Sequence, residues 1–255
     1  AIALALYNYF YKSKAYEKLD YSLTFIFIPA EEYLDLSYRE KLQKDGTIKY
    51  FGGKPEAMRL GVFDDIDAGV CVHAIGGTFD ERTTEINCDL AGFLYKKYTF
   101  KGSASHAGFD HFTRKNAYSM STVFQVALGL MRQQLKDSEH VRLNPIVMQS
   151  DMSTNVIPNS ITVGTDLRTK TVDYMKIVSE RVDKAALGSA MTLDGEVETK
   201  TQMGYLPFVQ DRYLGEYVVE AFEKQNEIKK LWNNNFISAA GDIGDLSYMI
   251  PCIQI

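Results

Sequence analysis

"GFLYKKYTFKG", residues 92–102, sets the organisation of this chain. Apolar and polar side chains take turns along it, the pattern of an antiparallel strand with one face buried. The segments downstream extend the pattern. "NAYSMSTVFQVALGLMRQQL" (116–135) reads as a helix capped by Asn116, with Val123, Ala127, Leu130 and Met131 on one face. "NPIVMQSD" (144–151) and "SITVGTDLR" (160–168) read as strands, "TVDYMKIVSERVDKAALGSA" (171–190) as a helix and "GEVETKTQMGYL" (195–206) as a strand. This order predicts an α+β sandwich over residues 91–205, with both helices on one sheet face.

Outside that stretch the character changes. Residues 1–19, beginning "AIALALYNYFY", read as an amphipathic helix, and 21–28 as a buried strand. "DAGVCVHAI" (67–75) reads as a second buried strand, 213–225 as a helix and "MIPCIQI" (249–255) as a last buried strand. Helices alternating with apolar strands predict an α/β domain with a largely parallel sheet. The expected architecture is therefore discontinuous. Residues 1–90 and 206–255 form the larger α/β domain, and 91–205 are inserted into it. Both ends fall inside expected secondary structure, so the chain reads as the interior of a longer protein.

Of the 255 residues, 45% are hydrophobic and 24% charged, an ordinary globular composition. A net charge of −5, a pI near 5.5 and no basic run argue against nucleic acid and anionic membrane as partners. The longest apolar runs fall well short of the ~20 residues of a membrane span. Cys71, Cys88 and Cys252 are odd in number and form no CxxC pair, so they read as buried free thiols in a reducing, cytoplasmic setting.

Two acids close the first apolar run. In "FIFIPAEEYL" (25–34), Glu31 and Glu32 stand side by side where like charges are normally avoided. One could hold a metal while the other moves a proton on the attacking water; two solvated acids are the alternative. His73 occupies the matching place after the second strand, and His with Glu is an ordinary zinc set. "FKGSASHAG" (100–108) surrounds His106 with small residues that permit close approach to its ring, or is a Gly/Ser loop with an incidental His. "TNVIPNSITVGTDLR" (154–168) offers Asn155 in a turn and Arg168 at a strand end, an amide and a planar fork suited to a carboxylate or carbonyl, or a loop amide and a surface Arg. In "AAGDIGDLSYMIP" the Gly-Asp steps fit a site wall or simple turns. His111 and His140 receive no role.

Taken in order, "PAEE", "VHA", F-K-G-x-x-x-H-A, N-V-I-P…D-x-R and "GDIGDLSYMIP" resemble the two-domain metal-dependent amidohydrolases and peptidases related to aminoacylase and carboxypeptidase G. The branch with hippurate hydrolase, indole-acetyl-amino-acid hydrolase and the aminobenzoyl-glutamate hydrolase subunits looks closest. The resemblance implies a site for two divalent ions, zinc or manganese, and an inserted lid through which a homodimer forms. It implies Glu31 as general base, Glu32 and His73 as metal ligands, and His106, from the partner's lid, as oxyanion donor. Asn155 and Arg168 would hold the substrate's carboxylate or carbonyl, the substrate being a small amide such as an N-acyl amino acid. Two departures stand out. The family's early His-x-Asp or Cys-Gly-His ligands and its late His ligand are absent from these residues, and "GFDHFTRKNA" replaces the usual small, Pro-containing loop after the lid His. A dipeptidase of the same fold and a non-catalytic homologue that binds an amino-acid-like ligand are the other expectations.

Overall fold

The computed structural model describes residues 2–32, 35–74, 76–150, 153–225, 230–233 and 236–255. Ile75 and Asp151, the ends of two expected strands, lie outside them. The chain is a mixed α/β protein with two compact units, Ala1–Asp89 with Val209–Phe236 and Asp245–Ile255, and Leu90–Phe208 with Ile237–Gly244. In chain order the elements are α1 (Ile2–Ser13), α2 (Leu36–Lys44), α3 (Gly53–Arg59), β1 (Gly69–Cys71), β2 (Thr83–Ile86), β3 (Asp89–Leu90), β4 (Gly92–Lys101) and β5 (Ser105–His106). Then come α4 (Ala117–Met131), β6 (Arg142–Ser150), β7 (Val156–Ile157), β8 (Ser160–Thr169), α5 (Val172–Met191) and β9 (Glu196–Met203). The chain ends with α6 (Arg212–Glu223), β10 (Lys230–Asn233), β11 (Phe236–Ile237), α7 (Ile243–Leu246) and β12 (Cys252–Gln254).

The second unit is built on an antiparallel sheet in the order β6-β8-β4-β9. Along β4 the alternation seen in the sequence becomes two faces: Leu94, Lys96, Tyr98 and Phe100 are buried, whereas Tyr95, Lys97 and Thr99 are only partly covered. Ile161, Val163 and Leu167 of β8 join the buried set, and α4 and α5 pack over it. Asn116 caps α4 by accepting from the Tyr118 and Ser119 N–H groups, and the Thr171 hydroxyl caps α5 by accepting from Tyr174 N–H. Phe124 lies against Tyr98 and Phe100, with ring centroids 4.8 and 5.6 Å away. Burying one such ring stabilises the unit by roughly 1.5–3 kcal/mol. The inward face of α4 differs from the expected one: Met120, Phe124 and Leu128 are buried, while Val123 and Leu130 are exposed. Both stripes of this helix are apolar, so periodicity could not choose between them, and the bulky ring settles the choice.

In the first unit parallel pairing occurs only as short pairs among the described residues: β1 with β12, which the sequence reading expected, and β2 with β10, which it did not. Cys252 and Ile253 of β12 are buried, yet Val70 of β1 is 67% exposed, so the segment at 67–75 is a three-residue strand with an open side. Residues 21–28, expected as a buried strand, form none. The segment has no pairing partner among the described residues, and a strand exists only through its ladder. Phe27 is accordingly 60% exposed, and Phe25 packs edge-on against Tyr7 of α1 at 5.5 Å. The buried amide of Gln210 ties the unit together: it donates to Cys88 O (2.8 Å) and accepts from Gln254 N–H (2.9 Å).

All three cysteines are free. Burial, reinforced by the nearby Glu85 carboxylate, pushes the Cys88 thiol up to about 12, and burial pushes Cys252 up to about 11. The reactive thiolate is therefore nearly absent from both at pH 8. A disulfide reagent is expected to titrate half-buried Cys71 first, and the other two only after denaturation. Three fast thiols in the native protein would contradict this burial.

Candidate active site

The approach to Glu31 is set by backbone constraint. After Pro29 the chain turns at Ala30, whose φ of 62° is rare for a residue with a side chain. Gly53 allows the crossing: a Cβ there would lie 2.0 Å from the Pro29 carbonyl oxygen, and its N–H donates to Ala30 O at 3.1 Å. Past the acids, Asp35 caps α2 by accepting from Tyr38 N–H. Buried Arg39 then reaches back along α2, donating to Phe51 O at 2.8 Å and to the Glu32 carbonyl. Arg39 thus fixes the loop that carries both acids. Sequence reading missed it, because an Arg inside "SYREK" looks like any solvated helix residue.

His73 follows β1 at its carboxyl end, where its N–H donates to Ile255 O (2.9 Å) and so prolongs the pairing with β12. Its Nδ1 donates to Ala74 O at 2.8 Å, which leaves Nε2 with its lone pair free to face outward. Nε2 stands 4.0 Å from Glu31 Oε1, with both side chains about half exposed. The carboxylate beside His73 is therefore that of Glu31, whereas the exposed Glu32 is held through its backbone. Two donors on one tetrahedral zinc lie roughly 3.4 Å apart at bond lengths near 2.1 Å, so this pair is within reach of a shared ion after a small closure. The Nδ1–H to carbonyl bond is also the usual support of a metal-binding imidazole. The donor chemistry fits a divalent ion. No group of three or more His, Cys, Asp or Glu side chains forms among the described residues.

In the second unit, β5 and β7 bring His106 and Asn155 together. His106 pairs with Val156 across this short ladder, and Ala107 N–H donates to Asn155 O at 2.8 Å. His106 Nδ1 accepts from Gly108 N–H at 3.1 Å, so its Nε2 carries the hydrogen and is a donor. The Asn155 Oδ1 accepts from the Ser153 hydroxyl. The small residues near His106 prove partly structural: a Cβ on Gly102 would lie 2.0 Å from Lys115 O of this same chain.

Arg168 is placed elsewhere. It pairs with Phe93 at the far end of β8, eight residues from Ser160 or roughly 27 Å at about 3.4 Å per residue. There it donates to Ser238 O (3.1 Å) and Asp166 Oδ2 (3.3 Å), with its guanidinium 5.8 Å from the centre of the Phe93 ring. Arg168 thus lies at the opposite end of β8 from Ser160, the end that follows Asn155 in the chain. In "GDIGD", Asp242 is buried, and Gly244 packs on the Leu206 carbonyl, 1.9 Å from where a Cβ would stand.

Two curated proteins are similar to the chain in sequence. The chain is 24% identical over 214 residues to a subunit of the p-aminobenzoyl-glutamate hydrolase of Escherichia coli K12, covering 80% of this chain and 42% of the relative. It is 23% identical over 218 residues to N-acetyldiaminopimelate deacetylase of Streptococcus uberis, covering 83% and 53%. Among solved structures, a Bacillus subtilis dinuclear metal-binding peptidase of the M20 family superposes with a TM-score of 0.58 at 16% identity, covering 89% of this chain and 53% of that one. The chain is thus similar in sequence to two amide hydrolases and in fold to an M20 peptidase. A second neighbour in fold, an aminobenzoyl-glutamate utilization protein from Klebsiella pneumoniae, gives a TM-score of 0.61 at 21% identity over 89% of this chain and 55% of that one. No protein-family profile matches the chain. It spans about half the length of the curated relatives it matches. No described helix is long and apolar enough to cross a membrane.

Proposed function

We propose that the full-length protein hydrolyses the amide bond of an N-acyl amino acid or a related small amide, using divalent ions held in part by Glu32 and His73. The observation that carries a metal here is the Glu31 carboxylate facing His73 Nε2 at 4.0 Å, with the other ring nitrogen committed to Ala74 O; Glu32 as ligand and Glu31 as base follow from the family resemblance. The relatives' names add weight, since one is a hydrolase of an aminobenzoyl amide and the other a deacetylase. When bound, zinc or manganese would supply Lewis acidity toward the scissile carbonyl. Glu31 accepts a proton from the attacking water and returns it to the leaving amine. His106, a donor at Nε2, and Asn155 stabilise the charge that develops on the carbonyl oxygen.

A homodimer through the second unit is part of the proposal. The two sheet edges differ in kind: β9 carries Glu196, Glu198 and Lys200, whereas β6 presents exposed Ile146, Val147 and Met148. Charged edges resist pairing and apolar ones invite it.

The test is an assay of the full-length protein on N-acetyl amino acids, aminobenzoyl-glutamate and dipeptides. Activity is expected to disappear on chelation and return with zinc or manganese. Preference for dipeptides would make it a peptidase of the same fold. A full-length protein that binds no divalent ion would instead be a ligand-binding homologue, and the hydrolase reading would be lost.

A further inference from the structure

The outer face of the four-stranded sheet carries a hollow of about 210 Å³, lined by Lys97, Thr99, Ser160, Thr162, Glu198 and Lys200, with Gln149 at its side. It belongs wholly to the second unit. At roughly 30 Å³ per water, it has room for about seven waters, enough for a small ion with part of its hydration shell. Its composition runs against the chain as a whole, whose net charge is −5.

Lys97 and Lys200 are direct cross-strand partners on β4 and β9. Side chains so paired have Cβ atoms about 5 Å apart, and like charges there destabilise a sheet. Neither ammonium lies within 4.0 Å of a carboxylate among the described residues, although the Lys200 charge also acts on the Glu198 carboxyl. The acid on the rim, Glu198, is engaged by Lys101, and hydrogen bonding from that lysine holds its carboxyl below the usual range. The floor is made of hydroxyls. Thr99 and Thr162 are also direct partners, and their Oγ1 atoms lie 3.2 Å apart. One hydroxyl donates to the other, so the second hydrogen remains available to an acceptor above. Gly164, opposite Lys97, is covered by Met148 and the Tyr95 hydroxyl, which a Cβ there would strike, so these side chains close the hollow on that side. Two unpaired ammonium groups over a hydroxyl floor form a receptor for negative oxygen, and an anion would relieve their repulsion.

We propose that this hollow binds a small oxyanion, a phosphate or a carboxylate, between Lys97 and Lys200. The site is independent of the hydrolase reading and uses none of its residues. It is tested by calorimetric titration of the chain at low ionic strength with inorganic phosphate and, separately, with succinate. Chloride at matched ionic strength is the control. Saturable binding of at least one oxyanion is expected, and whichever binds more tightly identifies its class. Lys97→Met and Lys200→Met should each weaken it by about tenfold or more, the loss of one charge-assisted hydrogen bond. Lys176→Met on α5 should leave it unchanged. A melting curve without anion checks each variant's fold, and Lys200→Met is expected to be no less stable than the parent. Absence of saturable oxyanion binding, chloride binding equally well, or affinity indifferent to both lysine variants would overturn the proposal.

Discussion

Glu31→Gln in the full-length protein is expected to lower turnover by about 10²- to 10⁴-fold while bound metal stays in place. The substitution keeps shape and hydrogen-bonding reach but removes the only property a general base needs, an oxygen that can take and release a proton. The loop should be undisturbed, because its position depends on the Pro29–Ala30 turn, Gly53 and the Arg39 bond to the Glu32 carbonyl. None of these involves the Glu31 side chain. Glu32→Gln and His73→Ala should behave differently, losing metal first and activity as a consequence. The decisive measurement is kcat beside metal content for each variant. Full activity of Glu31→Gln would reject the assigned base. Loss of metal from Glu31→Gln but not from Glu32→Gln would exchange the two roles, which the 4.0 Å approach of Glu31 to His73 makes a pointed comparison.

The second unit was readable because its elements close on themselves. β4, β6, β8 and β9 find their partners within this stretch of chain, so alternation in sequence becomes pairing in space. Residues 21–28 show the opposite case. Their apolar content demanded burial, but pairing depends on a neighbour that periodicity cannot supply. The inward face of α4 was hidden for another reason: a helix apolar on two sides carries no phase, and Phe124 decides only once Tyr98 and Phe100 are in place. Among the candidate residues, Glu31 and His73 of the first unit and His106 and Asn155 of the second could be singled out by type and spacing. Arg39 could not, since its role rests on two backbone carbonyls. That Arg168 sits at the far end of β8, opposite Phe93, only the sheet register makes plain.

Asp183→Asn is expected to destabilise the second unit by about 3 kcal/mol. The reason lies in Lys96, which the alternation of β4 turns inward, leaving its side chain 1% exposed. Its ammonium donates to both Asp183 oxygens, at 2.7 and 2.8 Å, and Tyr98 donates to Oδ1 at 2.7 Å. Burial, and then the hydrogen bond to Asp183, push the Tyr98 hydroxyl far above its usual range, so it remains a donor. Removing the carboxylate charge leaves a buried ammonium facing a neutral amide, and breaking such a pair costs about 3–5 kcal/mol. The lower end applies because the Asp183 side chain is 40% exposed, so water screens part of the attraction. Lys96→Met combined with Asp183→Asn should recover most of the loss, since the apolar stem replaces the buried charge and Asn still accepts from Tyr98. Urea unfolding of the four members of this cycle gives the coupling directly. Additive losses would mean that water reaches Lys96 and that the pair contributes little. A strongly positive coupling with an unchanged denaturant slope would show that the charge is tolerated inside the sheet only because Asp183 meets it there.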